Sequence, residues 1–304
     1  MLSVFMDGAV GTTGLEIGER LAGRGDFSLI RLAEDRRKDP AARAEALNDA
    51  DFVILCLPDD AAREAVALIR NARTRVIDAS SAHRVADGWT YGFPELGFDV
   101  AGASRVSNPG CYPTGFLALI APLVRARLIP SDWPYSVNAV SGYSGGGKAL
   151  IERFERDGDL AFRDYGFSLG HKHVAEMRLH AGLAHPPLFA PTVTRAFRGM
   201  IVEVPLPLAA MPGAPGRAAL LNCLAAAFEG QPVVRVHDDQ PDELLLAGHA
   251  APSDMLDLYV FADAGDRQAR LVATLDNLGK GAAGAAVQNL NIMAGLDPLA
   301  GLVV

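Results

Sequence analysis

A short apolar run, Leu2-Ser-Val-Phe-Met6, ends at Asp7 and passes at once into Gly8-Ala-Val-Gly-Thr-Thr-Gly14, after which helical sequence follows from Leu15 to Arg24. A strand that feeds a glycine-rich turn and opens a helix sets backbone N–H groups and the positive end of a helix dipole where a pyrophosphate can sit. The spacing is G-x-x-G-x-x-G, a variant of the dinucleotide fingerprint G-x-G-x-x-G, so the turn alone also suits an ordinary strand-to-helix connection. Context decides between them. Strand-like Phe27 to Leu32, helical Ala41 to Asn48, the buried run Asp51-Phe-Val-Ile-Leu-Cys-Leu57 stopped by Pro58, helical Asp59 to Asn71 and strand-like Arg75-Val-Ile-Asp78 alternate in order. That rhythm predicts a parallel sheet with crossover helices, in which ligands bind beyond the carboxyl ends of the strands. The residues to watch are therefore Gly8, Gly11, Thr12, Thr13 and Gly14, Pro58-Asp59, and the stretch Asp78-Ala-Ser-Ser-Ala-His-Arg84 with Ser80 at its centre.

The chain has 304 residues, which at roughly 100 to 200 residues per domain fits two domains. Beyond Ser131 the texture changes to period-2 alternation, as in Tyr135-Ser-Val-Asn-Ala-Val140, Gly199-Met-Ile-Val-Glu-Val-Pro205 and Leu256-Asp-Leu-Tyr-Val-Phe-Ala262. Such segments predict antiparallel strands with one face buried, and a helical stretch from Pro215 to Glu229 among them makes the second domain α+β. The expected boundaries are residues 1–111 for the dinucleotide-binding domain, completed by a C-terminal helix 282–304, and residues 112–281 for a catalytic and oligomerisation domain. The last helical stretch carries Ala282, Ala283, Gly284, Ala285 and Ala286, small enough for close packing on a sheet.

Composition excludes several classes of function. Lys and Arg total 28 against 36 Asp and Glu, a net charge of -8, so a broad phosphate-backbone-binding surface and hence a nucleic-acid partner are not expected. A small anionic ligand remains compatible, given local cations or helix termini. No apolar stretch reaches the roughly 20 residues that span a bilayer, and the N-terminus lacks the basic region and long apolar core of a signal peptide, which gives a cytoplasmic expectation. Three cysteines are too few and too scattered for a disulfide framework or a zinc cluster, so no metal is expected.

Cys111 lies in Ser107-Asn-Pro-Gly-Cys-Tyr-Pro-Thr114, with a Pro-Gly turn before it. Phe116, Leu119, Ile120 and Leu123 follow at helical spacing. A thiol at the positive end of a helix favours its thiolate, the nucleophilic form. Cys56, inside an apolar strand, and Cys223, within an apolar helix, read as small buried hydrophobes. A nucleophilic cysteine needs a proton partner, and of the seven histidines only His171-Lys-His173 form a close pair, two positions apart. Ser141-Gly-Tyr-Ser-Gly-Gly-Gly-Lys148 offers several N–H groups and one ammonium to an anion, or else is a plain flexible connection. It is no P-loop, because Ala149 stands where Ser or Thr would hold magnesium.

Together these motifs resemble the N-acetyl-gamma-glutamyl-phosphate reductases of arginine biosynthesis, along nearly the whole chain. The matching stretches are Gly8 to Gly14, Tyr91-Gly-Phe-Pro-Glu-Leu96, Ser107 to Thr114, Ser141-Gly-Tyr-Ser-Gly145, His171-Lys-His-Val-Ala-Glu176, Arg198-Gly-Met200 and Asp276-Asn-Leu-Gly-Lys-Gly-Ala-Ala-Gly284, the Ser-Asn-Pro-Gly-Cys-Tyr-Pro-Thr stretch being the most specific. Length and Asp78-Ala-Ser-Ser-Ala-His-Arg84 look like the shorter, type 2 subfamily, while Ala175 stands where the family usually places proline. The resemblance implies an α/β fold, a Rossmann-type parallel sheet domain with a second α+β catalytic domain like those of the semialdehyde dehydrogenases. It also implies NADP as cofactor, a small anionic acyl-phosphate substrate and a homo-oligomer, dimer or tetramer. On these positions the family's thiol falls on Cys111 and its acid-base on His173, with His171 beside the substrate. Asn108, Ser141, Gly142 and Lys148 are expected at the substrate, and Asn277 at the nicotinamide carboxamide. NADP rather than NAD is expected because the basic run Arg36-Arg37-Lys38, despite Glu34-Asp35 beside it, lies where the ribose is read. The competing readings are another acyl-phosphate reductase such as aspartate-semialdehyde dehydrogenase, opposed by the His-Lys-His spacing, and a non-catalytic dinucleotide-binding regulator, opposed by Cys111 with His173. A thiol hydrolase would have no use for the glycine-rich turn.

Overall fold

The computed structural model describes residues 1–304 and divides into two compact units, Met1–Pro109 with Ala282–Leu302, and Gly110–Gly281 with Val303–Val304. Numbered in chain order, the first unit contains β1 (Leu2–Asp7), α1 (Thr12–Leu21), β2 (Phe27–Ile30), α2 (Pro40–Asp49), β3 (Phe52–Leu55), α3 (Asp59–Leu68), β4 (Arg75–Asp78), β5 (Thr90–Tyr91), β6 (Arg105–Ser107) and the last helix, α8 (Gly284–Ala294). Its six strands run in the order β2-β1-β3-β4-β6-β5, every neighbouring pair parallel. Helices cover both faces, and the side chains of β3 show why. Phe52 and Ile54 pack with Ile17 and Leu21 of α1 and with Val287 and Leu290 of α8, whereas Val53 and Leu55 pack with Ala46 and Leu47 of α2 and with Ala62 and Ala65 of α3. A strand buried on both faces cannot alternate apolar and polar residues, hence the unbroken apolar run in the sequence.

Three polar side chains of α8 are less expected than its small ones. Gln288 donates to Glu95 (2.8 Å), Asn289 to the carbonyl of Gly92 (3.0 Å) and to Asn108 Oδ1 (3.1 Å), and Asn291 accepts from Arg24 (2.7 Å). The helix is keyed to its unit by hydrogen bonds as well as by close packing, because buried amides need partners.

The second unit contains α4 (Cys111–Arg125), β7 (Ser136–Gly142), α5 (Gly147–Arg156), β8 (Phe162–Asp164), α6 (His173–His180), β9 (Leu188–Thr194), β10 (Met200–Leu206), α7 (Arg217–Ala227), β11 (Val234–His237), β12 (Leu256–Ala262) and β13 (Ala269–Leu275). Its seven-stranded sheet has the order β11-β12-β13-β10-β7-β9-β8. The expectation of antiparallel strands is corrected here: β7 pairs with β9, and β11 with β12, in parallel. Alternation reports that one face is buried, and it says nothing about strand direction. Under the buried face lies α4, whose residues from Tyr112 to Leu123 are all buried. On the other face Ile201 and Glu203 of β10 and Tyr259 and Phe261 of β12 stay partly exposed. No helix is long and apolar enough to cross a membrane.

Candidate active site

In the second unit the chain enters α4 through Gly110, an extended N-cap without a side-chain capping bond, and the first helical residue is Cys111. Thr114 turns both its N–H (2.9 Å) and its hydroxyl (3.0 Å) onto the Gly110 carbonyl, which fixes this entry. Glu176, buried on α6, sits over it. One carboxylate oxygen accepts the Gly110 N–H at 3.2 Å, and the other lies 3.9 Å from Nε2 of His173, one turn earlier on the same helix. Glu176 thus ties the turn that presents the thiol to the imidazole three residues before it.

His171 precedes α6 and its Nδ1 accepts the backbone N–H of His173 at 3.2 Å, so the neutral ring carries its proton on Nε2 and presents that edge as a donor. Aromatic rings enclose it: His173 at 4.6 Å, Phe189 at 5.1 Å, Tyr165 at 5.8 Å and Tyr112 at 6.4 Å between centroids. Tyr112, next to Cys111 in the chain, also packs on His173 at 5.7 Å. Its phenol is pushed well above the usual range by burial, with Tyr165 and Cys111 adding to it, so it stays protonated. The Tyr165 hydroxyl donates to that of Tyr112 (3.4 Å).

The segment after β13 closes this region from behind. Asp276 forms a buried ion pair with Arg198 (3.0 Å) and accepts the N–H groups of Ser253 (3.3 Å) and Leu278 (2.9 Å). A π-helical turn, Gly279–Ala283, follows, and Gly281 N–H bonds the Asp276 carbonyl five residues back (2.9 Å). Such turns recur at functional sites, and this one lays Gly281 against Cys111, where an added Cβ would stand 2.8 Å from the Cys111 Cβ.

In the first unit the β1–α1 turn holds Gly8 at φ +87°, and a Cβ there would overlap the carbonyl oxygen of Cys56, so only glycine fits. Gly11 caps α1 without a side-chain bond, its N–H reaching the Gly8 carbonyl (3.1 Å), and Thr12, Thr13 and Gly14 form the first turn of the helix. Beside this turn a cavity of about 800 Å³ opens, walled by Asp7, Gly8 and Gly14, by Arg31 just past β2, and by Arg37 and Lys38. A side-chain-free cradle, a helix start and adjacent cations suit the phosphates and ribose of a dinucleotide.

Several expected site residues are placed otherwise. Asn108 is buried in the first unit, where its amide donates to the Ala282 carbonyl (2.9 Å) and accepts from Asn289. It joins chain segments of the first unit. Asn277 is 2% exposed, and its amide donates to Ser144 Oγ (2.9 Å) and accepts the Gly199 N–H (2.9 Å), all within the second unit. These bonds tie together the segments after β7 and before β10. Arg36 is exposed but lies off the cavity wall. Ser80 turns its N–H and hydroxyl onto Asp78 (2.9 and 2.8 Å). Ser141 is buried, bonding the Gly142 carbonyl (3.1 Å), while the Gly142 N–H pairs with Gly199 (2.8 Å). Lys148 is exposed on the first turn of α5, which makes Ser141 to Lys148 a helix entry and not a flexible connection.

The sequence motifs assign no role to Glu176, Tyr165 or Gly281. Glu176 could have been found, because a carboxylate three residues after a histidine on a helix shares its face. Tyr165 carries no signal in the sequence.

Residues 4–104 match the model of the semialdehyde dehydrogenase NAD binding domain, and residues 111–277 that of the semialdehyde dehydrogenase dimerisation domain. The chain is 47% identical over 317 residues to the N-acetyl-gamma-glutamyl-phosphate reductase of Trichormus variabilis, covering 98% of each protein, and 49% identical over 302 residues to N-acetyl-gamma-glutamyl-phosphate reductase 2 of Pseudomonas putida, covering 96% of each. Among solved structures, the aspartate semialdehyde dehydrogenase of Francisella tularensis superposes with a TM-score of 0.72 at 15% identity, over 96% of this chain and 100% of that one. Aspartate semialdehyde dehydrogenase II of Vibrio cholerae gives 0.70 at 16%, over 97% and 98%. At such identities the likeness is one of fold.

Proposed function

The chain belongs to the N-acetyl-gamma-glutamyl-phosphate reductase family, and we infer from that premise that it reduces N-acetyl-L-glutamyl 5-phosphate to N-acetyl-L-glutamate 5-semialdehyde and phosphate in arginine biosynthesis, with NADPH as reductant. The observation that carries this reading into the site is Glu176, which joins the turn before Cys111 to the ring of His173.

The Cys111 thiolate attacks the acyl carbonyl carbon. A C–S bond forms, the C–O bond to phosphate breaks, and phosphate departs with the electron pair, leaving a thioester. Backbone N–H groups at the start of α4 are the donors placed for the tetrahedral oxyanion. The chemistry that NADPH supplies when bound on the first unit is a hydride, delivered to the thioester carbon. His173 then lends a proton to the new oxyanion and takes it back as the C–S bond breaks, which frees the aldehyde and restores the thiolate. Glu176 steadies the imidazolium during that exchange, and His171 offers its Nε2–H to a substrate oxygen.

The expected assembly is a homo-oligomer formed through the second unit. Its open sheet face keeps Ile201, Tyr259 and Phe261 partly exposed opposite the face under α4, and apolar groups so placed suit a second copy.

The test runs the reaction backwards. With N-acetylglutamate semialdehyde, phosphate and NADP, absorbance of NADPH should rise and should require phosphate. Aspartate semialdehyde serves as the competing substrate, and faster turnover with it would overturn the assignment.

A further inference from the structure

The charged side chains around the cavity at the carboxyl ends of β1 and β2 are not equivalent. Arg43 of α2 turns Nη2 (2.7 Å) and Nε (3.1 Å) onto one oxygen of Asp7, the last residue of β1. Arg37 bonds Glu34 at 2.8 Å. Those two guanidiniums are already neutralised, and an incoming anion would have to compete with a carboxylate for each. Arg31, the first residue past β2, and Lys38 line the same cavity, are exposed, and have no carboxylate within 4 Å. Of the two cavity carboxylates without a cationic partner, Glu19 stands on α1 and Asp35 on the turn between Arg31 and Lys38.

We propose that Arg31 and Lys38 discriminate NADPH from NADH by bonding the 2′-phosphate of the adenosine ribose, and that Asp35 opposes them. The assignment rests on the NADPH reading above. The end of the second strand is where a dinucleotide fold reads the ribose, an acid there favouring the 2′-hydroxyl and a cation the 2′-phosphate. A 2′-phosphate brings nearly two negative charges and three acceptor oxygens. An uncommitted guanidinium meets them as a two-pronged donor, and the neighbouring ammonium as a point charge. Arg36, off the wall, and Arg37, held by Glu34, have no part in this, although both belong to the basic run Arg36-Arg37-Lys38.

Equilibrium binding to the purified full chain, measured by calorimetry, tests the assignment without relying on turnover. The probes are adenosine 2′,5′-bisphosphate and adenosine 5′-monophosphate, which differ only in the 2′-phosphate, together with NADPH and NADH. The wild type should bind the bisphosphate and NADPH more tightly than their partners. Arg31→Ser should weaken the bisphosphate roughly tenfold to hundredfold, the range for a lost charge-assisted bond, and leave the monophosphate unchanged. Lys38→Ser should act in the same direction, less strongly, because its ammonium offers no fork. Asp35→Asn should widen the gap between the two probes, and Arg36→Ser should leave it where it was. A wild type that binds NADH as tightly as NADPH would overturn the NADPH reading and this assignment with it. A preserved NADPH preference that Arg31→Ser and Lys38→Ser leave untouched, or a loss shared equally by both adenosine probes, would overturn the assignment alone.

Discussion

Gly281 packs so closely on Cys111 that a Cβ built on it would stand 2.8 Å from the Cys111 Cβ and 3.3 Å from its Cα. Neither side can yield easily: Cys111 begins a helix buried along nearly its whole length, and the Asp276 carbonyl anchors Gly281. A single methyl here forces the thiol or the π-turn to move. Gly281→Ala should lower kcat by tenfold or more, of the order expected when a reacting atom shifts by about 1 Å. Overpacking should also remove roughly 1–3 kcal/mol of stability. Normal kcat in that variant would mean that the contact does not position the nucleophile.

The three thiols should separate cleanly under alkylation of the native protein. Burial, with Asp78 and Asp7 adding their charge, pushes the Cys56 thiol up to about 12, and burial raises Cys223 as well. Iodoacetamide at pH 7.5 should therefore modify Cys111 first and abolish activity in step. Cys111→Ser should abolish turnover while dinucleotide binding survives, since an alcohol is a far weaker nucleophile and leaving group. Mass mapping of the modified peptide checks the order, and early labelling at Cys56 would contradict it.

In the first unit β1 to β4 and their helices were legible in the sequence, because a parallel sheet covered on both faces leaves apolar strands between helices, whereas the short β5 and β6 carry no such run. Arg75–Asp78 and Leu256–Ala262 are strands over the residues expected. Strand direction in the second unit was not legible. The turn-borne thiol and the histidine pair were conspicuous by residue type and spacing. Their supports were not, since Glu176, Tyr165 and Gly281 act by where the tertiary fold puts them. For Asn108 and Asn277 an amide in a distinctive motif suggests a ligand, and what the sequence does not show is that each also has buried backbone and side-chain partners.

Glu176→Gln keeps an acceptor for the Gly110 N–H and removes the negative charge 3.9 Å from His173. Losing a nearby anion makes the imidazolium less favourable. The histidine-dependent limb of the pH profile of kcat/KM should then move to lower pH, with the melting temperature close to wild type. His173→Ala should cost about 100-fold to 10,000-fold in the chemical step, whereas loss of His171 should fall more on KM. An unmoved pH limb in Glu176→Gln would reduce Glu176 to a packing role.

Asp51 supplies a pH-dependent contribution to stability away from the site. The backbone N–H of Ser3 and then its hydroxyl, both at 2.8 Å, hold this carboxyl below its ordinary value of 3.8. A depressed folded-state value stabilises the fold above the unfolded value, and that stabilisation is lost as the pH falls through the depressed one. Asp51→Asn should thus melt lower than wild type at neutral pH, and the gap should close below about pH 3.8. A gap that stayed constant into acid would show that the charge is not its source.

Asn277 distinguishes anchoring from cofactor contact. Its amide holds Ser144 beyond β7 and the Gly199 N–H before β10, while its neighbour Asp276 is locked to Arg198. Asn277→Ala leaves the Gly199 N–H and the Ser144 hydroxyl short of a partner in a buried setting, a penalty of about 1–3 kcal/mol for a stranded group. For a unit of this size each kcal/mol lowers the melting temperature by roughly 2–4 °C. Because the next residues lead into the turn that carries Gly281, kcat should fall modestly as Cys111 loses its backing, and the KM for NADPH should stay unchanged. Calorimetry and initial rates on the same preparation separate the two roles. A raised KM for NADPH at wild-type melting temperature would return Asn277 to the nicotinamide and show that the hydrogen bonds to Ser144 and Gly199 are dispensable.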